Sequence, residues 1–246
     1  MKKKRLFIIF TIPLIFITGC SVSSIDAQKK RTEPVSKSAV MNELTDKDIF
    51  GNETTLNISE EDIQNALDNE KFSVPLKSNV ILVQSGSRAP DVAMQQEMGK
   101  YYFISTYSGI SDNKKTLACN KNGNQTENMN YMQALRYIAA KGKYKAILVY
   151  WGNMESGLFD PKTKEVYWSE YKNDKEFGVG VILRYLLRFA LIDVATGEWA
   201  TYSPVNYEYI EHLQSTDAVD MTKQQIMQLK KKTYERAVAD LVNRFK

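Results

Sequence analysis

The sequence predicts an α/β domain: a mixed β-sheet flanked by helices, with C-terminal antiparallel hairpins and a terminal helix. Three patterns carry that expectation. Short apolar, β-branched runs at 79–84 and 145–151 alternate with segments of helical period. Two Asp-x-x-Thr-x-Glu turns, at 160–165 and 193–198, each lie between strand-like flanks. Residues 222–246 repeat apolar side chains at helical spacing.

Taken in order, Ser59-Glu-Glu-Asp62 has the form of a capping box, with Ile58 and Ile63 placed as a hydrophobic staple and Ile63, Ala66 and Leu67 as a short apolar stripe. A helix is expected there. Asn79–Gln84 reads as a buried strand, Gly86-Ser-Arg-Ala-Pro90 as the turn after it, and Pro90 as the first residue of a helix through Met94, Met98 and Tyr101. Tyr102–Ser108 is a second strand and 111–128 a polar loop. Asn130 can cap a helix carrying Met132, Leu135, Ile138 and Ala139, with Gly142 at its C′ position. Lys145–Trp151 is the third strand.

In both turns the leading Asp can bond back to the following amides, and the fifth residue, Lys164 or Gly197, can take left-handed dihedrals. The paired acids therefore serve the turns rather than catalysis. From Val179 to Ile192 the chain alternates, placing Val181, Leu183, Tyr185, Leu187, Phe189 and Leu191 on one face and Arg184 and Arg188 on the other. This long strand returns as Glu198–Val205. Thr222-Lys-Gln-Gln225 opens a final helix whose apolar face holds Ile226, Leu229, Ala237, Val238, Leu241, Val242 and Phe245.

The 246 residues open with Lys2, Lys3, Lys4 and Arg5, followed by an apolar run, Leu6–Thr18, too short to span a bilayer but suited to a secretory signal. The run ends in Ile17-Thr18-Gly19-Cys20. These residues resemble the lipobox of bacterial lipoprotein signal peptides. The resemblance implies a diacylated lipid attached through the Cys20 thiol, cleavage before Cys20, acylation of the new amino terminus (palmitate or a similar chain), and anchorage by two or three chains where one would hold only marginally. Ser21 stands where an Asp would signal inner-membrane retention in enteric bacteria, so in a Gram-negative host the outer membrane, periplasmic face, is expected. The expected organisation is a signal peptide at 1–19, lipidated Cys20 with a flexible tether over 20–57, and one α/β domain over 58–246. The tether rests on a stretch from Ser21 to about Asp48 poor in large apolar residues.

Charge supports export and argues against nucleic acid. The whole chain carries +4 and a pI near 8.8, but residues 1–19 hold four cations and no acid. Taking those four from 33 leaves 29 Lys+Arg against 29 Asp+Glu. With Cys20 committed to lipid, Cys119 has no intramolecular partner and no disulfide framework exists. It reads as a tolerated thiol. The single His excludes HExxH zinc sites, and any triad would have to use His212, which stands beside Glu208 and Glu211 as an ordinary surface imidazole. Neither a metal nor a cofactor is expected. Ser111-Asp-Asn-Lys114 superimposes two motifs that penicillin-recognising enzymes keep on separate elements, so one Ser cannot serve both.

Two surfaces invite binding. Tyr167, Trp168 and Tyr171, with Trp151 nearby in sequence, are a candidate partner-binding set, able to stack on peptidoglycan sugars or anchor an envelope protein. Gly86, Ser87 and Arg88 are a candidate anion site, two amides and a guanidinium before a helix start. Ala146-Ile-Leu-Val149 and Leu191-Ile-Asp-Val-Ala-Thr-Gly-Glu-Trp199 are similar to an envelope superfamily that includes the curli-secretion lipoprotein, the penicillin-binding-protein activator lipoprotein and the amino-terminal domain of the Tol translocation protein. That resemblance implies an accessory or assembly module acting through contacts, with no catalytic residue to carry over; this sequence departs from the curli member in lacking an obvious long amphipathic strand pair for membrane insertion, which argues against a pore. The alternative expectation is a cell-envelope hydrolase using an unrecognised Ser or carboxylate.

Overall fold

Strand β1 (Asn79–Ser85) buries four consecutive residues, Val80 to Val83, as a strand covered on both faces must. In the computed structural model, which describes residues 43–51, 58–68, 71–110, 131–171, 181–205 and 218–246, β1 lies between two parallel partners. These are β2 (Phe103–Gly109) and β3 (Ala146–Asp160). β5 (Val181–Asp193) runs antiparallel to β3 from Ala146↔Asp193 to Leu158↔Val181, and β6 (Trp199–Tyr202) pairs with β5. The sheet order is β2-β1-β3-β5-β6. β4 (Glu165–Glu170) folds back on the far half of β3, along the edge that β1 occupies lower down. The mixed sheet, the antiparallel hairpins and the terminal helix are those expected from sequence.

Among the described residues five helices accompany the sheet: α1 (Asp46–Phe50), α2 (Glu60–Asp68), α3 (Val92–Gly99), α4 (Tyr131–Lys141) and α5 (Ala218–Phe245). Met94 and Met98 of α3 and Val238, Leu241 and Val242 of α5 pack with Val80, Leu82, Leu148, Tyr150 and Phe189 on one face. Ile49 and Phe50 of α1 and Met132, Leu135 and Ala139 of α4 pack with Ile81, Val83, Ile147, Val149 and Ile192 on the other. The two helical crossovers that follow β1 and β2 therefore lie on opposite faces. This makes the carboxyl end of β1 a topological switch point, the place where open α/β sheets form crevices.

Both hairpin turns form as expected. Lys164 and Gly197 adopt φ of 60° and 82°. The Asp160 carboxylate accepts the Lys162 amide, and that of Asp193 accepts the amides of Ala195 and Thr196 at 2.8 and 3.0 Å. β5 alternates as its sequence implies, with Leu183, Tyr185, Leu187 and Phe189 buried and Arg184 and Arg188 only partly covered.

Other local expectations need correction. Pro90 precedes the N-cap, Asp91, instead of opening the helix, and α5 starts four residues upstream of Thr222, so the Thr-x-x-Gln sequence lies within the helix. The left-handed residue after α4 is Lys143, not Gly142, whose absent Cβ leaves room for the Tyr144 ring. The Ser59–Asp62 capping box forms, yet Ile58, Ile63 and Leu67 stay exposed and α2 buries no residue. A staple and stripe at the right spacing are thus not enough to dock a helix.

Residues 44–50, placed in the tether by composition, are packed: Leu44, Ile49 and Phe50 are buried, and Thr45 and Asp48 form a capping box. Three large apolar side chains within seven positions outweigh the polar sequence around them. Cys20, the 111–128 loop with Cys119 and Lys114, Asn130 and His212 lie outside the described residues.

Two outcomes test these turns. Gly197→Ala should cost about 1–2 kcal/mol in urea unfolding, through the left-handed penalty and because its Cβ would meet the Arg136 guanidinium that donates to the Val194 and Ala195 carbonyls; Lys164→Gly should be neutral or stabilising. Asp193 gives a pH signature. Burial alone would raise its pKa, but the Lys145 ammonium at 2.6 Å and the two turn amides outweigh burial and hold it below the usual carboxylate range. Its contribution is therefore present above the unfolded carboxylate pKa and is lost as the pH falls through the depressed folded value. The drop in urea midpoint below about pH 4 should be shallower in Asp193→Asn than in the parent.

Candidate functional site

The switch point is built from the end of β1 outward. Gly86, at φ 74°, donates its N–H to the Gly109 carbonyl at 2.9 Å, and the Ser87 N–H reaches the Gln84 carbonyl at 3.2 Å. The Ser87 hydroxyl donates to Ala89 O. Both amides of the candidate anion site are thus already paired, Gly86 to the end of β2 and Ser87 within the turn, and what the site offers solvent is the exposed Arg88 side chain. The amino-terminal segment lies across this turn. The Leu44 N–H donates to Ser85 Oγ at 2.8 Å and the Trp151 indole donates to the Leu44 carbonyl at 2.9 Å. A Cβ on Gly86 would stand 3.0 Å from Glu43 Cγ. Burial, and then the charge of Glu170, push the Glu43 carboxyl above its ordinary pKa.

On the opposite face a polar junction centres on Asp91. Its carboxylate accepts the Tyr234 hydroxyl at 2.6 Å and the Lys230 ammonium at 3.1 Å, and Tyr185 stands 3.0 Å from Tyr234, oxygen to oxygen. The Asp91 N–H is shared by Gln84 Oε1 and the Tyr150 hydroxyl, and Tyr150 donates to the same Gln84 oxygen at 2.8 Å. Burial raises the pKa of Tyr150 and Tyr234, and that of Tyr185 to about 12. All three phenols are therefore neutral donors at physiological pH. Chemically the junction is a clamp holding α5 and α3 to the sheet, with no phenolate to act as nucleophile.

Beyond the helices, β3, β4 and β5 continue as a three-stranded extension. Trp168 lies opposite Gly157, where a Cβ would come within 2.9 Å of the indole and 2.6 Å of Val166, so glycine lets the ring lie across the strand. The Arg184 guanidinium stacks 3.9 Å from the Trp168 ring and its Nε donates to Glu155 at 2.7 Å. Trp151, on the same face, lies under Arg188, which pairs with Asp46. Tyr167 instead faces the other side with Leu158, and Tyr171 packs against the core beneath α5, its N–H on the Met154 carbonyl.

The candidate aromatic set therefore divides between two faces: Trp151 and Trp168 on one, Tyr167 and Tyr171 on the other. Strand alternation at 167–168 already required that separation. At the end of the hairpin Leu158, Phe159 and Tyr167 are 63%, 50% and 55% exposed. Asp91, Tyr234, Lys230 and Gln84 were missed in sequence because they come from distant elements with no shared motif. The cap at Thr45-Asp-Lys-Asp48 was legible by the pattern that identified Ser59. Among the described residues no group of three His, Cys, Asp or Glu could hold a metal ion.

Residues 45–244 match the family described as YafT bacterial lipoprotein, a match that begins at the α1 cap and ends within the last turn of α5. The chain belongs to the YafT bacterial lipoprotein family. YafT-family membership makes it an exported, lipid-anchored protein. No curated protein matches the chain. Among solved structures it is similar to a homolog of the neuraminyllactose-binding hemagglutinin from Helicobacter pylori, at 12% identity over 72% of this chain and 88% of that one, with a TM-score of 0.27. A likeness at that level carries no argument about this YafT-family domain.

A double-mutant cycle tests the clamp. Tyr234→Phe should destabilise the domain by about 1–2 kcal/mol in chemical unfolding, and the double variant with Tyr185→Phe should fall short of additivity, since the two hydroxyls share one bond.

Proposed function

We propose that this YafT-family lipoprotein is a binding or assembly module held on the periplasmic side of the envelope, at the outer membrane in a Gram-negative host, and that it works by contact rather than catalysis. The observation that carries the reading is the exposed apolar end of the β3–β4 hairpin, Leu158, Phe159 and Tyr167. Aromatic and large apolar side chains concentrate binding energy at interfaces, and here they project beyond the helix-covered part of the sheet. Trp168, stacked under Arg184, gives the hairpin a fixed shape and lowers the entropy lost on docking. The partner in this reading is an envelope protein or peptidoglycan, with Arg88 as a separate contact for an anionic group. The similarity of Ala146–Val149 and Leu191–Trp199 to the curli-secretion, penicillin-binding-protein activator and Tol proteins supports the same class of role, and lipidation at Cys20 supplies the anchor.

Crosslinking and co-purification from intact cells should recover one specific partner, and Phe159→Asp with Tyr167→Asp should reduce its recovery at least tenfold without lowering Tm by more than a few degrees. Recovery unchanged in that variant would remove the hairpin from the reading. Hydrolytic turnover by the purified protein, abolished by one point substitution, would replace the reading with an enzyme.

A further inference from the structure

The segment that crosses the switch point is attached in an unusual way. Leu44, Ile49 and Phe50 are buried against the sheet and α4, and Phe50 lies 4.5 Å from the Trp199 ring, centroid to centroid. Yet residues 43–51 add no strand to the sheet. The main-chain bonds described between the segment and the body of the domain both end on side chains, Leu44 N–H on Ser85 Oγ and the Leu44 carbonyl on the Trp151 indole. The charged tie, Asp46 to Arg188, joins two side chains 53% and 40% exposed. Within the segment α1 closes on itself, through the Thr45–Asp48 box and the Gly51 amide on the Lys47 carbonyl. Its removal would therefore break no ladder bond of the sheet.

Position in the chain adds direction. The segment is the first described stretch of the chain, and Glu43 is 23 residues from Cys20, the expected point of lipid attachment. A pull applied at Cys20 reaches it before any described strand. Its neighbours run along that face of the sheet and are apolar or aromatic: Val83, Val149 and Trp151 toward the carboxyl end of β1, then Ile192 and Trp199, which align with Ile147 nearer the strands' amino ends.

We propose that residues 43–51 are a releasable strap: closed in the resting domain, they are drawn off the sheet when the tether is pulled, opening an apolar groove beside Trp151 at the carboxyl end of the parallel strands while the rest of the domain stays folded. The proposal rests on the lipid anchorage of the family and is independent of which partner the hairpin takes. Regions that open below the global unfolding free energy are those with few main-chain ties, and α/β crevices at switch points are where ligands enter. The strap thus couples mechanical load on the anchor to access to the crevice.

Force spectroscopy on the full chain, held at residues 20 and 246, tests this directly. The expected record has a reversible first extension of roughly 20–30 Å, the contour of about nine residues less their folded span, at a force below the main unfolding event. Native-state hydrogen exchange without load should show the amides of 44–50 exchanging at least tenfold faster than those of the β3–β5 ladder. Phe50→Ala should lower the first force and leave the second unchanged. If that variant fails to fold, Asp46→Lys, which sets a cation against Arg188 at an exposed position, should speed strap exchange severalfold with the ladder unaffected. A single all-or-none extension, or strap amides that exchange only with the ladder, would overturn the proposal; binding at the hairpin would be untouched by that failure.

Discussion

The Asp91 carboxylate is the point on which the arrangement of helices depends. It stands at the start of α3, immediately beyond the turn that leaves β1, and it draws Tyr234 and Lys230 of α5 to one oxygen, Oδ2. Through Tyr234 it reaches Tyr185 of β5, and its own amide meets Tyr150 of β3 and Gln84 of β1. A 28-residue helix at the end of the chain could slide along an apolar face with little penalty, because Leu241, Val242 and Phe245 would find similar neighbours one turn away. Directional bonds to a single carboxylate remove that freedom, since a shifted register would strand a buried phenol without its acceptor.

The sheet has two regimes with different physics. Where β1, β3 and β5 run together, both faces carry helices and the core is apolar, with Leu82, Val83, Ile147, Val149 and Phe189 all excluded from solvent. Farther along β3 and β5 the ladder continues while the cover changes from helices to side chains of the strands themselves. Arg184 lies on Trp168 and is held by Glu155, so one guanidinium both screens an indole and neutralises an acid. A long guanidinium stem laid over an aromatic face does for this end of the sheet part of what a helix does for the other.

Those regimes explain how much was legible in the sequence. Continuous apolar runs at 79–84 and 145–151, alternation along β5 as far as Arg188 and the two Asp-led turns each encode one local answer, and each is realised. Local signals failed where the outcome depended on distant neighbours. Ser59 and Asp62 cap a helix as the pattern says, but Ile63 and Leu67 have no surface within the described residues to bury against. Leu44, Ile49 and Phe50 sit in polar sequence and are buried all the same, because Trp151, Trp199 and α4 arrive from more than 80 positions later. The aromatic hairpin was found by composition, and its division between two faces followed from strand geometry. The Asp91 junction draws on five separate elements, and no window of sequence contains it.

β4 shares an edge of β3 with β1 but pairs with neither β1 nor β5, so the hairpin hangs from one ladder. Residues at its end can be lengthened, shortened or exchanged without changing the spacing of any helix-covered strand. Selection on what the hairpin touches is thereby separated from selection on whether the chain folds. Related domains can diverge most rapidly at 158–167 while keeping the same parallel core, and the contact surface becomes the part of the protein freest to follow a changing partner.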